Sequence, residues 1–205
     1  YFSLYETMTL VKGFGGVAKT REALDDFRRR ARAAGVGEIH LNGVAWGLQP
    51  PADDPRVKTP ADLVQALGLD SVTSYCWIHH TGLGQFPATD YAAWADQSCA
   101  LWPQLQARYP VPYYPNVSMG WDSSPRTCQT NRFENVGYPF TPMVTGNTPE
   151  RFQQALERAR VFLMKQPREH RVLTINAWNE WTEGSYLEPD NAFGFKYLDA
   201  VKTVF

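Results

Sequence analysis

The sequence predicts an α/β protein whose strands run parallel. Five short apolar, β-prone segments, at residues 1–5, 38–44, 71–77, 112–119 and 172–175, alternate with segments of helical periodicity at 20–34, 59–67, 89–109 and 148–165. Such alternation is typical of parallel β/α architecture. A doubly wound sheet could be built from these segments, whereas a (β/α)8 barrel takes about 250 residues. The chain has 205.

The first two β/α units have clear boundary signals. Residues 1–5 (YFSLY) form a buried strand that ends at Glu6, and a glycine-rich loop at 12–17 precedes the first helix. After the second strand and a loop rich in proline and aspartate, Thr59 is the predicted N-cap of a short helix, with Pro60 in its first turn.

The remaining units follow the same order. Residues 78–88 form a loop that carries His79 and His80, and the longest helix comes after it. The strand at 112–119 leads into the segment GWDSSPR, after which the chain is irregular through residue 145. A helix opens at Thr148, and the last strand begins at Val172.

Composition and charge exclude several classes of protein. With 20 Lys and Arg against 21 Asp and Glu, the net charge is -1 and no basic run is present, which argues against a nucleic-acid partner. No stretch approaches the roughly 20 apolar residues of a membrane span. Cys76, Cys99 and Cys128 are widely spaced and odd in number, so we expect free thiols and neither a disulfide framework nor a metal site. The chain begins inside an apolar run without an initiator Met, so we expect a truncated start, and nothing in it indicates a compartment or an oligomeric state.

The most informative stretch is residues 172–190 (VLTINAWNEWTEGSYLEPD), in which an apolar strand changes into tryptophans, amides and carboxylates. Residues three apart point to opposite faces of a strand but to the same side of a helical or 3₁₀ turn, so Glu180 and Glu183 can converge only where the strand has ended. Trp178 and Trp181 flank Glu180, and indoles suit the C–H faces of sugars and raise the pKa of a neighbouring carboxyl. Paired carboxylates beside tryptophans predict a carbohydrate site.

The segment NAWNEWTEG, continued by YLEPD, resembles the last barrel strand of the WbsX-type proteins, a group related to the glycoside hydrolase family 99 endo-α-mannosidases and mannanases. The segment GWDSSPR resembles that group's G-W-D-x-(S/T)-P-R segment. The resemblance implies a TIM barrel, (β/α)8, of which this chain supplies roughly the last five β/α units, so that residues 1–205 are one partial barrel domain. It covers essentially the whole chain.

In a barrel the functional groups lie at the carboxyl ends of the strands. The resemblance implies retaining glycoside hydrolysis in which Glu180 deprotonates the sugar's 2-hydroxyl, whose oxygen attacks the anomeric carbon, while Glu183 is the general acid/base. No cofactor is implied. The other candidate substrate-binding residues are those at the predicted strand ends: Glu6, Trp46, Tyr75, His79, Trp121, Asp122, Arg126, Trp178, Asn179 and Trp181.

Several of these residues have a structural alternative. Asp122 and Arg126 could form an ion pair that holds their loop, Asp190 could cap a terminal helix at 192–204, and Glu188 could hydrogen-bond backbone near Pro189. Glu6 could belong to a buried ion pair. Trp46 and Trp77 are more often core residues than parts of a sugar subsite, and metal ligation by His79 and His80 has little support.

Three function classes follow from the sequence. The first is a retaining glycoside hydrolase acting on α-linked glycans. The second is a glycosyltransferase of polysaccharide assembly, as WbsX-type proteins are described, although the chain has no glycine-rich phosphate loop and no D-x-D motif for a metal–nucleotide sugar. The third is a non-catalytic glycan-binding barrel. In each case the expected partner is a glycan or polysaccharide.

Overall fold

The computed structural model describes all 205 residues, which divide into two compact units. The first compact unit contains residues 1–74 and 102–114, and the second contains residues 75–101 and 115–205. The strands, in chain order, are β1 Phe2–Leu4, β2 Leu41–Val44, β3 Ser71–Thr73, β4 Ala88–Asp90, β5 Tyr113–Tyr114, β6 Asn116–Ser118, β7 Met143–Thr145, β8 Thr174–Asn176, β9 Asn179–Glu180 and β10 Ser185–Tyr186. The helices are α1 Thr7–Phe14, α2 Val17–Ala33, α3 Pro60–Leu67, α4 Tyr91–Ala100, α5 Trp102–Arg108, α6 Pro149–Met164 and α7 Lys196–Val204.

The first compact unit is built on a four-stranded parallel sheet with the order β1-β2-β3-β5. Each strand lies beside the one that follows it in this unit, without the reversal of order that defines a doubly wound sheet. Helix α3 packs against α2, and its inward face is the fully buried set Leu63, Val64 and Leu67. The α/β class with parallel strands is therefore confirmed.

The capping signal at Thr59 is confirmed in detail. The Thr59 side chain accepts a hydrogen bond from the backbone N–H of Asp62, and the Asp62 carboxylate accepts one from the backbone N–H of Thr59, which completes a capping box. Helix α3 ends at Gly68, which adopts a left-handed conformation with φ of 63°.

The second compact unit contains two parallel strand pairs, β6 with β8 and β4 with β7, and the antiparallel hairpin of β9 and β10. Helix α6 packs against both α4 and α7. The core contains Trp77 and Trp94 in edge-to-face contact, with ring centroids 5.1 Å apart, and Phe152 is fully buried. The Trp77 indole N–H donates to the Asn116 carbonyl, so the aromatic core is tied to strand β6.

Prolines explain two differences from the predicted elements. The strand predicted at 112–119 is two strands, β5 and β6, separated by Pro115, which has no N–H for a ladder. The helix predicted at 89–109 is divided into α4 and α5, because in a continuous helix the ring of Pro103 would clash with the carbonyl four residues earlier and its nitrogen could not donate to it.

Other elements were not predicted. Helix α1 begins at Thr7 and takes up part of the segment predicted as a loop at 12–17, and β7 lies in the stretch predicted as irregular. The terminal helix begins at Lys196 and not at residue 192, because Asp190 accepts hydrogen bonds from the N–H groups of Ala192 and Phe193 and closes a separate turn there. No helix combines the length and the apolar character needed to cross a membrane.

Candidate active site

Strand pairing brings the segments GWDSSPR and NAWNEWTEG together in the second compact unit. In the parallel pair of β6 and β8, Ser118 lies opposite Asn176, and the Met119 N–H donates to the Asn176 carbonyl at 3.0 Å. The chain segments that leave these two strands therefore start side by side, as expected for carboxyl ends of neighbouring parallel strands.

A tight hairpin carries the two glutamates. Strand β9 ends at Glu180, a 3₁₀ turn spans Trp181–Glu183, and β10 returns antiparallel with Ser185 opposite Glu180. This is the kind of turn that the sequence predicts for a converging pair. Gly184 closes the turn with φ of 62°, and a Cβ at this position would lie 2.9 Å from the Cβ of Asp122, so a glycine is required both for the conformation and for the close approach.

Both carboxylates contact the same guanidinium group. Nη2 of Arg126 lies 2.8 Å from Oε1 of Glu180 and 3.6 Å from Oε1 of Glu183. The two Oε1 atoms are thus separated by no more than the sum of these distances, about 6.4 Å. Burial by itself would lower the pKa of Arg126, but Glu183, Tyr138 and Glu180 act against it, and the net effect is a raised pKa.

The two glutamates have different hydrogen-bond partners. Oε1 of Glu180 accepts from Arg126 and also from the Thr182 hydroxyl at 2.9 Å. Glu183 is the more buried side chain and accepts from the Tyr138 hydroxyl at 3.1 Å, while that hydroxyl accepts from Arg126 at 2.6 Å. Tyr138 was not among the predicted residues, and it comes from the stretch between β6 and β7 that carries no motif.

Arg126 is not paired with Asp122, so that alternative is wrong. The Asp122 carboxylate accepts from the backbone N–H of Ser124 at 2.9 Å, and the Asp122 N–H donates to the Glu183 carbonyl at 2.7 Å. Asp122 therefore folds its own loop and docks it onto the turn that carries Glu183. Trp121 is buried and donates its indole N–H to Thr141.

The tryptophans beside the glutamates differ in how they are held. The Trp181 ring is partly exposed and stacks on Tyr186, with centroids 3.6 Å apart and planes 16° from parallel. Its indole N–H donates to the Glu188 carboxylate at 2.6 Å. Glu188 therefore positions the Trp181 ring, and the predicted alternative of a hydrogen bond to the backbone near Pro189 is wrong. Trp178 and Asn179 are exposed on the same hairpin.

The segment at residues 75–79 approaches the same strand end. The backbone N–H of Trp77 donates to the Ser118 hydroxyl, which in turn donates to Sγ of Cys76. Burial, with a smaller contribution from Glu183, raises the pKa of the Cys76 thiol to about 11. Tyr75 and His79 stack with centroids 5.8 Å apart, and partial desolvation lowers the pKa of His79.

Glu6 and Trp46 belong to the first compact unit and lie together within it. Glu6 is exposed at the start of α1, where its carboxylate accepts from Thr9, and it is not in a buried ion pair. Trp46 packs edge-to-face on Tyr5, with centroids 5.3 Å apart. Both residues follow strand ends, as the sequence predicts.

A cavity of about 440 Å³ lies beside the turn that carries Glu183. Asp122, Gly184 and Tyr186 are in its wall. No three of the chain's His, Cys, Asp and Glu side chains are grouped so that they could hold a metal ion.

Parallel β/α strands, a carboxylate pair at a strand end and partly exposed aromatic rings define the class of carbohydrate-active domains. The family model described as "Glycosyltransferase WbsX" matches residues 11–201, and the chain belongs to the WbsX family. The predicted resemblance is thereby confirmed.

Two curated relatives carry the same description, "Uncharacterized protein WxcX", and come from two strains of Xanthomonas campestris pv. campestris. Each is 30% identical over 181 residues, which is 86% of this chain and 23% of the relative. The chain thus spans about a quarter of the length of these relatives.

One solved structure shares the fold, and a second aligns with a lower score. A "Glycoside hydrolase-like protein" aligns with 91% of this chain and 49% of its own, at a TM-score of 0.57 and 16% identity. The GH99 endo-α-mannosidase from Bacteroides thetaiotaomicron aligns with 82% of this chain and 42% of its own, at a TM-score of 0.42 and 15% identity. At 16% identity, the similarity to the glycoside hydrolase-like structure shows the fold alone.

Proposed function

We propose that the chain carries the catalytic centre of a retaining glycoside hydrolase that acts on α-linked glycans through Glu180 and Glu183. The observation that carries the proposal is the convergence of both carboxylates on Arg126, at 2.8 and 3.6 Å. Retaining glycosidases separate their two carboxyl groups by about 5–5.5 Å and inverting ones by about 6.5–9.5 Å. The upper limit of about 6.4 Å between the two Oε1 atoms is compatible with the retaining arrangement.

The hydrogen bonds support a division of roles. Oε1 of Glu180 accepts from two donors, Arg126 and Thr182, so it is arranged as an acceptor and suits a base. Glu183 is more buried and contacts a neutral hydroxyl, that of Tyr138, which suits a group that must gain and lose a proton.

The reaction then has two balanced steps. Glu180 takes the proton of the sugar's 2-hydroxyl, whose oxygen bonds to the anomeric carbon while the glycosidic C–O bond breaks and Glu183 protonates the leaving oxygen. Water, deprotonated by Glu183, then attacks the anomeric carbon, and the 2-oxygen leaves and recovers its proton from Glu180. The anomeric configuration is retained because it is inverted twice.

A glycosyltransferase is the second candidate, because the matching family is described as one. In that case a sugar hydroxyl would take the place of water in the second step, or a nucleotide would be the leaving group in the first. The same two glutamates would serve in either.

We also propose that residues 1–205 are a single domain that supplies the last five β/α units of a (β/α)8 barrel. The sequential strand order of the parallel sheet supports this, as does the alignment with about half of the glycoside hydrolase-like structure. A structure of the full-length protein tests it: residues 1–205 should supply five β/α units of one closed barrel, and an open sheet would contradict the proposal.

The function is tested with the full-length protein and the variants Glu180→Gln and Glu183→Gln. Wild-type protein should release reducing sugar from α-mannosides with retained configuration, and each variant should lose at least about a hundredfold in kcat, which is the scale of general acid–base catalysis. Nucleotide release from nucleotide sugars that depends on Glu183 would establish the transferase. Glycan binding without turnover of either substrate would indicate the non-catalytic barrel and contradict the proposal.

A further inference from the structure

The cavity beside the acid pair lies at the carboxyl ends of two parallel strands. Met119 follows the end of β6, and Gly146 follows the end of β7. This edge of a parallel sheet is where α/β proteins bind ligands. The volume of the cavity, about 440 Å³, falls within the ordinary range of small-molecule sites, about 300–1,000 Å³.

The cavity shares a wall with the turn that carries the glutamates. Gly184, the residue after Glu183, lines it, and so does Asp122, whose N–H donates to the Glu183 carbonyl at 2.7 Å. Tyr186 also lines it, and the ring of Tyr186 is the one on which Trp181 stacks. The cavity therefore adjoins the turn that carries the Glu183 side chain.

Two polar groups in this wall are available to a ligand. The Asn147 side-chain amide makes no hydrogen bond within the chain, and neither does the second carboxylate oxygen of Asp122, since only Oδ1 accepts from Ser124. An amide offers two donors and an acceptor, and a carboxylate oxygen is an acceptor. Together they match adjacent hydroxyls, each of which both donates and accepts.

Asn147 is held in place by its surroundings. The Tyr197 hydroxyl donates to the Asn147 carbonyl, and a Cβ added at Gly120 would come within 2.6 Å of Nδ2 of Asn147. The amide therefore lies directly against the Gly120 backbone. Aromatic side chains complete the wall: Trp121 is buried, whereas Phe193 is partly exposed and offers a flat surface for the C–H face of a sugar.

The charge of the site favours an uncharged ligand. The lining contains one carboxylate, that of Asp122, and no Lys, Arg or His. An anionic sugar would be repelled by this carboxylate and would meet no cation in the lining.

We propose that this cavity is a subsite for one neutral hexose residue of the glycan, next to the residue attacked at the acid pair, and that Asn147 and Asp122 bind its hydroxyls. The proposal rests on the proposed function and narrows its substrate to neutral α-linked chains.

The test measures how affinity depends on glycan length. Full-length protein with Glu183→Gln, which prevents turnover, is titrated calorimetrically with linear α-linked manno-oligosaccharides of two to five residues and with the same chains oxidised to a terminal uronic acid. Affinity should increase when the oligosaccharide becomes long enough for one sugar residue to occupy the cavity. Asn147→Ala should reduce that increase in affinity about tenfold, which is the effect of one or two hydrogen bonds. Asn131→Ala is the matched control, because Asn131 is exposed and lies outside the cavity, and it should change nothing.

Charge is tested in the same titrations. The oxidised chains should bind about tenfold more weakly than the neutral ones, and Asp122→Asn, which keeps an oxygen for the Ser124 N–H, should reduce that difference. If Asn147→Ala does not fold, Phe193→Leu replaces it, since it removes an aromatic face at nearly constant volume. Equal affinities for Asn147→Ala and Asn131→Ala, preference for the oxidised chains, or no binding of either series by the protein overturns the subsite.

Failure of the subsite and failure of the proposed function give different results. If Asn147→Ala weakens binding but Glu180→Gln and Glu183→Gln turn over normally, the subsite stands and the assignment of the acid pair is wrong. If both glutamates prove essential and Asn147 has no effect on affinity, only the subsite is wrong.

Discussion

Replacing Arg126 with alanine should destabilise the fold through repulsion between the two glutamates. At the upper limit of about 6.4 Å, two unit charges repel by roughly 0.6 kcal/mol in a medium as polar as water and by roughly 2.6 kcal/mol at an effective dielectric constant of 20, and a shorter separation gives a larger repulsion. The Arg126 and Glu180 side chains are 38% and 30% exposed, so solvent screening applies and the lower part of this range is appropriate. We expect Arg126→Ala to reduce the free energy of unfolding by about 1 kcal/mol.

The measurement is urea unfolding at pH 7, followed by tryptophan fluorescence, in 0.05 M and in 1 M NaCl. Because salt screens exposed charges, the loss should fall to less than about half in 1 M salt. Arg132→Ala is the control, since Arg132 pairs only with Glu134 and its side chain is 88% exposed, and it should have no measurable effect. A loss for Arg126→Ala that is the same at both salt concentrations, or no greater than that of the control, would refute the electrostatic coupling of the two glutamates.

Three further predictions concern residues around the pair. Tyr138→Phe removes the hydroxyl that donates to Glu183 at 3.1 Å, and we expect kcat to fall about tenfold with little change in KM, which steady-state kinetics on the α-mannoside will check. Glu188→Leu removes the acceptor of the Trp181 indole N–H, so the side-chain N–H resonance of Trp181 should shift and glycan affinity should weaken severalfold, whereas Glu188→Gln, which keeps an acceptor, should preserve both. Desolvation lowers the pKa of His79, so the unfolded chain binds the proton more readily than the folded chain. The free energy of unfolding should therefore decline as the pH falls below the pKa of His79 in the unfolded chain, about 6.5. Denaturation at a series of pH values should show this decline in the wild type and not in His79→Asn.

The parts of the fold that the sequence predicted depend on local signals. The capping box of α3 needs only Thr59 and the three residues after it, so its start could be placed to the residue. The pairing of β4 with β7 was not predictable, because these three-residue strands are joined only by hydrogen bonds between segments far apart in the chain. Pro115 shows a third case, because its missing N–H is visible in the sequence and divides the predicted strand at 112–119 into β5 and β6.

The same distinction applies to the candidate site. The convergence of Glu180 and Glu183 follows from a turn within four residues and was predicted from their spacing. Tyr138 was missed because it reaches Glu183 across 45 residues of chain from a stretch without periodicity. Asn147, which we propose as a ligand group, was not predicted for a similar reason, since that role depends on the cavity that it lines.

The segments GWDSSPR and NAWNEWTEG contact each other directly, although they are separate in the sequence. The register that places Ser118 opposite Asn176 starts both segments at the same level, and from there Arg126 reaches Glu180 while the Asp122 N–H reaches the Glu183 carbonyl. Each contact depends on the number of residues between the strand end and the contacting group. One residue inserted between Ser118 and Asp122 would leave the composition of both segments nearly unchanged, but it would move the guanidinium away from the carboxylates. We therefore infer that spacing within GWDSSPR matters to the acid pair as much as the identity of its residues, because this segment supplies the cation between the glutamates and one wall of the adjacent cavity.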